Sequence, residues 1–337
     1  MNLAIIGATG NVGRKTIEIL EKSKIKISKL FLVASEKSEG KKIKFKGNEI
    51  QIQSLEKYDF SSAQITFFAA GSKIAEQWVP KASKKTIVID NSKFFRMDKD
   101  VPLVVPEVNP EQLAMYKKKN IIANANCSTI QMVLVLKPLH DHFNIKRVVV
   151  STYQSTSGAG KAAMDELFNQ TKGVFVNDVK THEQFTKQIA FNVIPHIDAF
   201  MQDGATKEEW KMAAETRKIL DKDIAVHATC VRVPVFIGHG EAVNIEFTKS
   251  IDETQVREAL QAAQGVVVVD HRANEGYVTP FECAGEDAVY VSRIRKDPTV
   301  KNGVSLWVVS DNLRKGAALN SVQIAEMLVQ KKLVKPA

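Results

Sequence analysis

"IIGATGNVGRKTIEIL", residues 5–20, decides how the first third of the chain is read. An apolar run ends in glycine, and a G-x-x-G-x-x-G spacing follows (Gly7, Gly10, Gly13). Apolar residues then recur at helical spacing: Val12, Ile17, Ile19 and Leu20. Strand, tight loop and helix in that order suit a dinucleotide. One glycine makes the turn, one lets backbone approach a pyrophosphate, and one packs helix on strand, with the phosphates at the positive helix end. Thr9, Asn11 and Val12 lie between these glycines and are further candidates for cofactor contact. A plain strand–helix turn is the alternative.

Outward from this loop the chain alternates strand and helix. "KLFLVAS", "ITFFAA", "TIVID", "LVVPEV" and "NIIANANC" read as strands, "SKIAEQWVPKAS" as a helix, and "KIKFKGNEIQIQ" as an edge-like strand. Such alternation predicts an α/β fold, a Rossmann-type parallel sheet with helices on both faces. From about residue 146 longer strands appear ("RVVVSTYQS", "HATCVRVPVF", "AVNIEFTK", "GVVVVD", "AVYVSRIR", "VSLWVVSD"). They predict a second, α+β domain with a large mixed or antiparallel sheet. "RKGAALNSVQIAEMLVQKK" is an amphipathic helix expected to return to the first domain. The expected boundaries are 1–127 with the C-terminal helix 315–337, and 128–314.

The second strand bears on cofactor choice. A carboxylate at its tip suits NAD, but here Ser35 and Ser38 stand among Lys37, Lys41 and Lys42. Hydroxyls and ammonium groups favour a 2′-phosphate, so NADP is preferred, and Glu36 leaves NAD open.

Composition narrows the classes. Of 337 residues, 44% are hydrophobic and 25% charged, as in ordinary globular proteins. The net charge of +9 is spread along the chain beside acidic residues, which argues against nucleic acid as partner. No apolar run is long enough to span a bilayer, and the apolar start lacks the flanks of a secretory signal. The three cysteines and seven histidines show neither disulfide nor metal-ligand spacing. A cytoplasmic protein without a metal is expected.

"ANANCSTIQM", residues 123–132, sets Cys127 at the start of a convincing helix. The helix end would favour a thiolate and could hold an oxyanion. A small buried thiol is the bland alternative. His239 is bracketed by Gly238 and Gly240 after Pro234, which predicts a turn. Glu215 and Lys218, three apart, would share a helix face, as an ordinary surface pair also would.

"GATGNVG", "DNS", "FRMDKDVPLVVPEVN", "NANCSTIQM", "QSTSGAGKAAMDEL", "AFNVIPHID", "ATCVRVPVFIGHGEAV" and "DNLRKGAALNSVQIAEML" together resemble aspartate-semialdehyde dehydrogenase, its bacterial form most closely. The resemblance runs in order over nearly the whole chain. It implies reduction of 4-phospho-L-aspartate by NADPH to L-aspartate 4-semialdehyde and phosphate, ahead of lysine, methionine, threonine and isoleucine synthesis. It implies that Cys127 forms a thioester, that Gln154 orients the substrate, and that His239 is the general acid/base. Arg232 would clamp the α-carboxylate, Glu215 would meet the amino group, and Lys218 and Arg96 would take the phosphate. Ser157 and Gly158, in the turn after Gln154, would touch the cofactor, as would Asn312, which also reads as a helix cap. The second domain would serve catalysis and dimerisation, giving a homodimer. "DNSKFFRM" departs from the family pattern, with bulky Lys93 and Phe94 where small residues are usual. Two other readings remain: N-acetyl-γ-glutamyl-phosphate reductase, which has no need of Glu215, and a catalytically silent NADP-binding module.

Overall fold

The structure, a computed structural model, describes residues 1–176, 178 and 182–334. It divides into two compact units, Met1–Ala125 with Ala317–Ala337, and Asn126–Gly316.

The strands of the first unit are β1 (Asn2–Ile6), β2 (Lys29–Ala34), β3 (Lys42–Phe45), β4 (Asn48–Gln51), β5 (Gln53–Ser54), β6 (Ile65–Phe68), β7 (Ile87–Asp90), β8 (Leu103–Val104) and β9 (Ile121–Asn124). All but β3 and β4 join one sheet in the order β5-β2-β1-β6-β7-β9-β8, every pairing parallel. Leu3, Ala4, Ile5 and Ile6 are all buried, as a central parallel strand covered on both faces requires. β2 lies on one side of β1 and β6 on the other. Strand order therefore reverses at β1, where open α/β sheets bind their ligands.

β3 and β4 correct one expectation. "KIKFKGNEIQIQ" is not a single edge-like strand but a separate hairpin. Phe45 pairs with Asn48, so Lys46 and Gly47 form a two-residue loop, with φ of 47° and 81°. Positive φ at both positions is the primed turn that matches strand twist.

Helix α1 (Asn11–Lys22) buries Thr16, Ile17, Ile19 and Leu20, and α2 (Ser72–Ala82) buries Ala75, Val79 and Ala82. The C-terminal helix spans Leu319–Gln330 and continues directly from a π-helical turn, Arg314–Ala318; of the expected 315–337, residues 331–334 lie beyond it and 335–337 lie outside the described residues. Its Val322, Ala325 and Leu328 join the core formed by Leu3, Leu20, Leu32 and Phe67.

The second unit has β10 (Ile145–Gln154), β11 (Ala225–Arg232), β12 (His239–Phe247), β13 (Val266–Val268), β14 (Val289–Asp297) and β15 (Gly303–Ser310) in one mixed sheet. Its order is β11-β10-β12-β15-β14-β13. β10 runs parallel to β11 and β13 to β14, while the other pairs are antiparallel. The unit also holds helices α3 (Cys127–Phe143), α4 (Lys161–Phe175), α5 (Lys207–Ile219) and α6 (Glu253–Gln261), and a single turn at Pro280–Cys283. α3 lies against β10, β12, β14 and β15 and buries Ile130, Val133, Leu134, Val135, Leu136 and Leu139. A helix apolar on nearly every side belongs inside. Burial of those six side chains contributes on the order of 10 kcal/mol before conformational entropy is deducted, which anchors the helix whose first residue is Cys127.

Candidate active site

Sheet register gathers the second unit's candidates. Gln154 ends β10, and its partner Arg232 ends the parallel β11. The antiparallel β12 begins at His239 beside them, since Tyr153 pairs with Gly240. His239 also pairs with Ser310, so β15 delivers Asn312 two residues on. The expected turn at His239 is thus corrected to a strand start. Gly238 carries the bend, with φ of +95°, and a Cβ there would meet Pro280 O at 2.4 Å. Gly240 serves packing instead, because a Cβ would strike the Trp307 ring at 2.6 Å.

Cys127 opens α3 behind its cap Asn126, whose Oδ1 accepts the Ser128 and Thr129 amides. Its Sγ lies 3.2 Å from His239 Nε2. Gly316 makes room for it, since a Cβ at that glycine would meet Cys127 Cβ at 2.9 Å. His239 is fully buried, and its Nδ1 accepts the Ser155 amide at 3.0 Å. Burial, and then the Arg232 charge, lower its pKa to about 3. Arg232 is buried and donates from Nη1 to Ser155 O at 2.7 Å. Burial also pushes the guanidinium pKa down.

A second layer of charge lies behind these residues. Glu215 is fully buried and accepts the Asn126 amide at 2.6 Å. Glu208 Oε1 accepts from Asn126 Nδ2 at 2.9 Å and from Gln154 Nε2 at 3.2 Å, and Gln154 Oε1 accepts the Thr152 hydroxyl. Lys211 pairs with Glu208 and, at 3.1 Å, with Asp198. Burial opposes the Glu208 charge, but Lys211 and the hydrogen bonds from Asn126 and Gln154 outweigh it and bring its pKa down to about 2. Lys218 is half-buried near the end of α5.

Ser157 and Gly158 lie in the turn after β10. A Cβ on Gly158 would come within 3.2 Å of Arg232 Nη1 and 3.4 Å of His239 Nε2, so the glycine leaves space above that pair. Both ends of the buried Asn312 amide are engaged. Oδ1 accepts from Gly238 N and the Ser155 hydroxyl, and Nδ2 donates to Ser157 Oγ. The capping alternative fails for Asn312, because Asp311 Oδ1 takes the Leu313 and Arg314 amides.

In the first unit Arg96 is buried, donating from Nε to Asn124 O at 2.9 Å and from Nη2 to Asn91 O at 3.1 Å. Its bulky neighbours Lys93 and Phe94 are exposed, the Phe94 and Phe95 rings meeting edge to face.

The glycine loop fits a dinucleotide. Gly7 has φ of +83°, and a Cβ there would meet Ala69 O at 2.5 Å. One on Gly13 would meet Gly7 O at 2.2 Å. Gly10 caps α1 without a side-chain hydrogen bond, and the first turn holds no acidic residue, which leaves that helix end suited to a phosphate. Thr9, Asn11 and Val12 are partly exposed beside it, with Ser35 exposed and Ser38 half-exposed after β2. Among the described residues no cluster of three His, Cys, Asp or Glu is placed to hold a metal ion. No described helix is long and apolar enough to cross a membrane.

Comparison with known proteins completes this picture. Residues 2–116 match the family described as semialdehyde dehydrogenase, NAD binding domain, and residues 136–315 its dimerisation domain. Aspartate-semialdehyde dehydrogenase of Aquifex aeolicus is 52% identical over 336 residues, covering 98% of this chain and 99% of that one. The chain belongs to the aspartate-semialdehyde dehydrogenase family. A crystal structure of aspartate semialdehyde dehydrogenase II from Vibrio cholerae, complexed with ASA, is similar at a TM-score of 0.95. It is 48% identical, with 98% of each chain covered. The Candida albicans aspartate semialdehyde dehydrogenase, solved with NADP, is similar at 0.76 and 27% identical, with 98% of this chain and 99% of that one covered. The Rossmann-type fold, the mixed-sheet second domain and NAD(P) as cofactor are properties of this family.

Sequence reasoning missed three residues that the structure brings into this hydrogen-bonded cluster: Glu208, Lys211 and Ser155. Glu208, Lys211 and Glu215 stand at i, i+3 and i+7 on one face of α5. Such charge spacing normally marks a solvated face; only tertiary packing turns it inward. Ser155 meets His239 Nδ1 through both its backbone amide and its hydroxyl, a contact that only the pairing of β10 with β12 brings about.

Proposed function

We propose that the chain reduces 4-phospho-L-aspartate to L-aspartate 4-semialdehyde and phosphate, with Cys127 as nucleophile and His239 as its partner. The observation that carries this reading is the 3.2 Å approach of Cys127 Sγ to His239 Nε2 at the start of α3. A thiolate attacks the acyl carbon, the phosphate leaves, and a thioester forms that can accept hydride. NADPH, held by Gly7, Thr9, Gly10, Asn11, Val12 and Gly13 with Ser35 and Ser38 toward the 2′-phosphate, supplies that hydride.

The remaining roles follow from charge. A guanidinium has five donors, so Arg232 can meet the substrate α-carboxylate while Nη1 holds Ser155 O. Glu215 takes the substrate amino group, Lys218 and Arg96 take the phosphate, and Gln154 orients the acyl group. Ser157 and Gly158 form the turn that faces the nicotinamide end of the cofactor. The buried carboxylate of Glu215 favours a free amine over the acetylated one of N-acetyl-γ-glutamyl phosphate. Exposed Tyr153 and Tyr277 in the unit that matches the dimerisation domain support a homodimer, and reduced-thiol chemistry with NADP suits the cytoplasm. The reaction serves lysine, methionine, threonine and isoleucine synthesis.

The test is NADP⁺ reduction with L-aspartate 4-semialdehyde plus phosphate, with N-acetylglutamate semialdehyde alongside. Activity on the aspartyl aldehyde is expected to fall by about 10⁴-fold or more in Cys127→Ala. Activity retained in that variant, or a preference for the acetylated aldehyde, would refute the proposal.

A further inference from the structure

Arg96 in the first unit is seated on backbone oxygens. Its Nε donates to Asn124 O at 2.9 Å and its Nη2 to Asn91 O at 3.1 Å. Asn91 directly follows β7 and Asn124 ends β9, so both carbonyls lie at the carboxyl ends of neighbouring parallel strands. A guanidinium is planar and rigid. Two of its nitrogens held on fixed oxygens therefore orient the whole plane.

The two residues that supply these carbonyls are also joined by their side chains, to each other and to the C-terminal helix. Asn124 Nδ2 donates to Asn91 Oδ1 at 2.9 Å and to Ala317 O at 3.1 Å. Asn124 Oδ1 accepts from Asn320 Nδ2 at 2.6 Å, and Asn91 Oδ1 accepts the Ser321 hydroxyl at 2.8 Å. Asn320 and Ser321 lie in the first turn of the C-terminal helix. Asn320 Nδ2 also reaches Val104 O, at the end of β8, at 3.0 Å. Asn91 Nδ2 reaches Phe68 O, at the end of β6, at 3.1 Å. The amide orientations agree with one another, since turning Asn124 about would set its oxygen against Asn91 Oδ1 and Ala317 O.

We propose that Asn91, Asn124, Asn320 and Ser321 are positioning residues that seat Arg96 for the substrate phosphate, so that the C-terminal helix is part of the phosphate site. This rests on the reading of Arg96 as a phosphate ligand.

Docking the helix does not need these groups. Val322, Ala325 and Leu328 already bury its apolar side in the core. Asn124, Asn320 and Ser321 are almost wholly buried, and a buried amide or hydroxyl adds little net stability even when every hydrogen bond is made. An apolar side chain at 320 would pack as well, but it could not fix the Asn124 side chain, whose own carbonyl faces Arg96. The turn from β7 to Arg96 is closed on its other side by Asp90. Its Oδ1 accepts the Ser92 amide at 3.0 Å and its Oδ2 the Ser92 hydroxyl at 2.7 Å. An arginine ordered in advance loses less freedom when an anion arrives, and its directional donors match phosphate oxygens. Loosening the network should therefore weaken phosphate binding and leave the aldehyde and the cofactor held as before.

The experiment is steady-state oxidation of L-aspartate 4-semialdehyde by the full chain, with NADP⁺ and phosphate varied in turn. Asn320→Leu is expected to raise the phosphate KM about tenfold and Ser321→Ala about threefold, with the aldehyde and NADP⁺ KM values within about twofold of wild type. Ser321→Ala removes one hydroxyl and carries the comparison if Asn320→Leu does not fold. Arg96→Gln should raise the phosphate KM by itself. Adding Asn320→Leu to it should raise that value no further, because both changes act through one guanidinium. An unmoved phosphate KM in the network variants, or an equal rise in all three KM values, would overturn the proposal. So would an undiminished effect of Asn320→Leu in the Arg96→Gln background, which a general loosening of the fold would give. A phosphate KM unmoved in Arg96→Gln alone would instead defeat the reading of Arg96 as a phosphate ligand, and the proposal with it.

Discussion

Around the glycine loop of the first unit the chain offers backbone. Gly7 and Gly13 hold the turn closed, and the start of α1 presents amides with no acidic side chain in its first turn. Around Cys127 in the second unit it offers buried charge instead: Glu208, Lys211, Glu215 and Arg232, drawn from α5 and β11. The first arrangement depends on space, and one methyl group disturbs it. The second depends on pairing, and it fails when a partner is removed. Substitutions that keep volume should therefore spare one and damage the other.

The largest expected effect is in the charged layer. Lys211→Met leaves Glu208 ionised and buried without its cation, and should cost about 3–5 kcal/mol of stability, read as a lower urea midpoint. Adding Glu208→Gln should restore most of the loss. A single variant within about 1 kcal/mol of wild type would show that this layer is not a paired-charge structure.

A smaller effect tests the backbone loop. Gly13→Ala drives a Cβ to 2.2 Å from Gly7 O, whereas a Cβ on Gly10 meets nothing closer than 3.5 Å. Gly13→Ala should lower both Tm and NADPH affinity. Gly10→Ala should leave Tm unchanged and weaken NADPH about tenfold, ~1.4 kcal/mol, by calorimetry. Equal Tm losses would mean that Gly10 serves packing and not cofactor approach.

The smallest effect belongs to Glu241. Burial holds its pKa well above the usual value, with a side-chain hydrogen bond from Gln131 countering in part. The folded chain keeps this proton while the unfolded chain releases it above about pH 4.5. Between that pH and the raised folded pKa, the unfolded state binds fewer protons, so stability falls as pH rises. Glu241→Gln should flatten that decline, seen as a smaller drop in Tm from about pH 5 to about pH 8. An unchanged slope would mean that Glu241 is ionised in the folded protein.

The same contrast explains what sequence alone reveals. The glycine loop is legible because φ of +83° and contacts below 3 Å leave glycine as the residue that fits, and spacing records that need directly. Cys127 is legible as a helix start because Asn126 is a strong N-cap residue. His239 reads as a turn residue because its flanking glycines suggest one, yet one bends the chain and the other makes way for Trp307. Glu208 and Lys211 look like a solvated helix face, since nothing local distinguishes an inward charge from an outward one. The β3–β4 hairpin stays hidden because Lys46-Gly47 lacks the Asn or Asp that usually signals such a loop.

The central claim, a covalent aspartyl thioester on Cys127, has a direct measurement. Enzyme mixed with L-aspartate 4-semialdehyde and NADP⁺ in the absence of phosphate should release a burst of one NADPH per subunit and then stall. Mass spectrometry of the quenched protein should find the aspartyl group on the peptide that contains Cys127. A burst that requires phosphate, or an adduct on any other residue, would contradict the account.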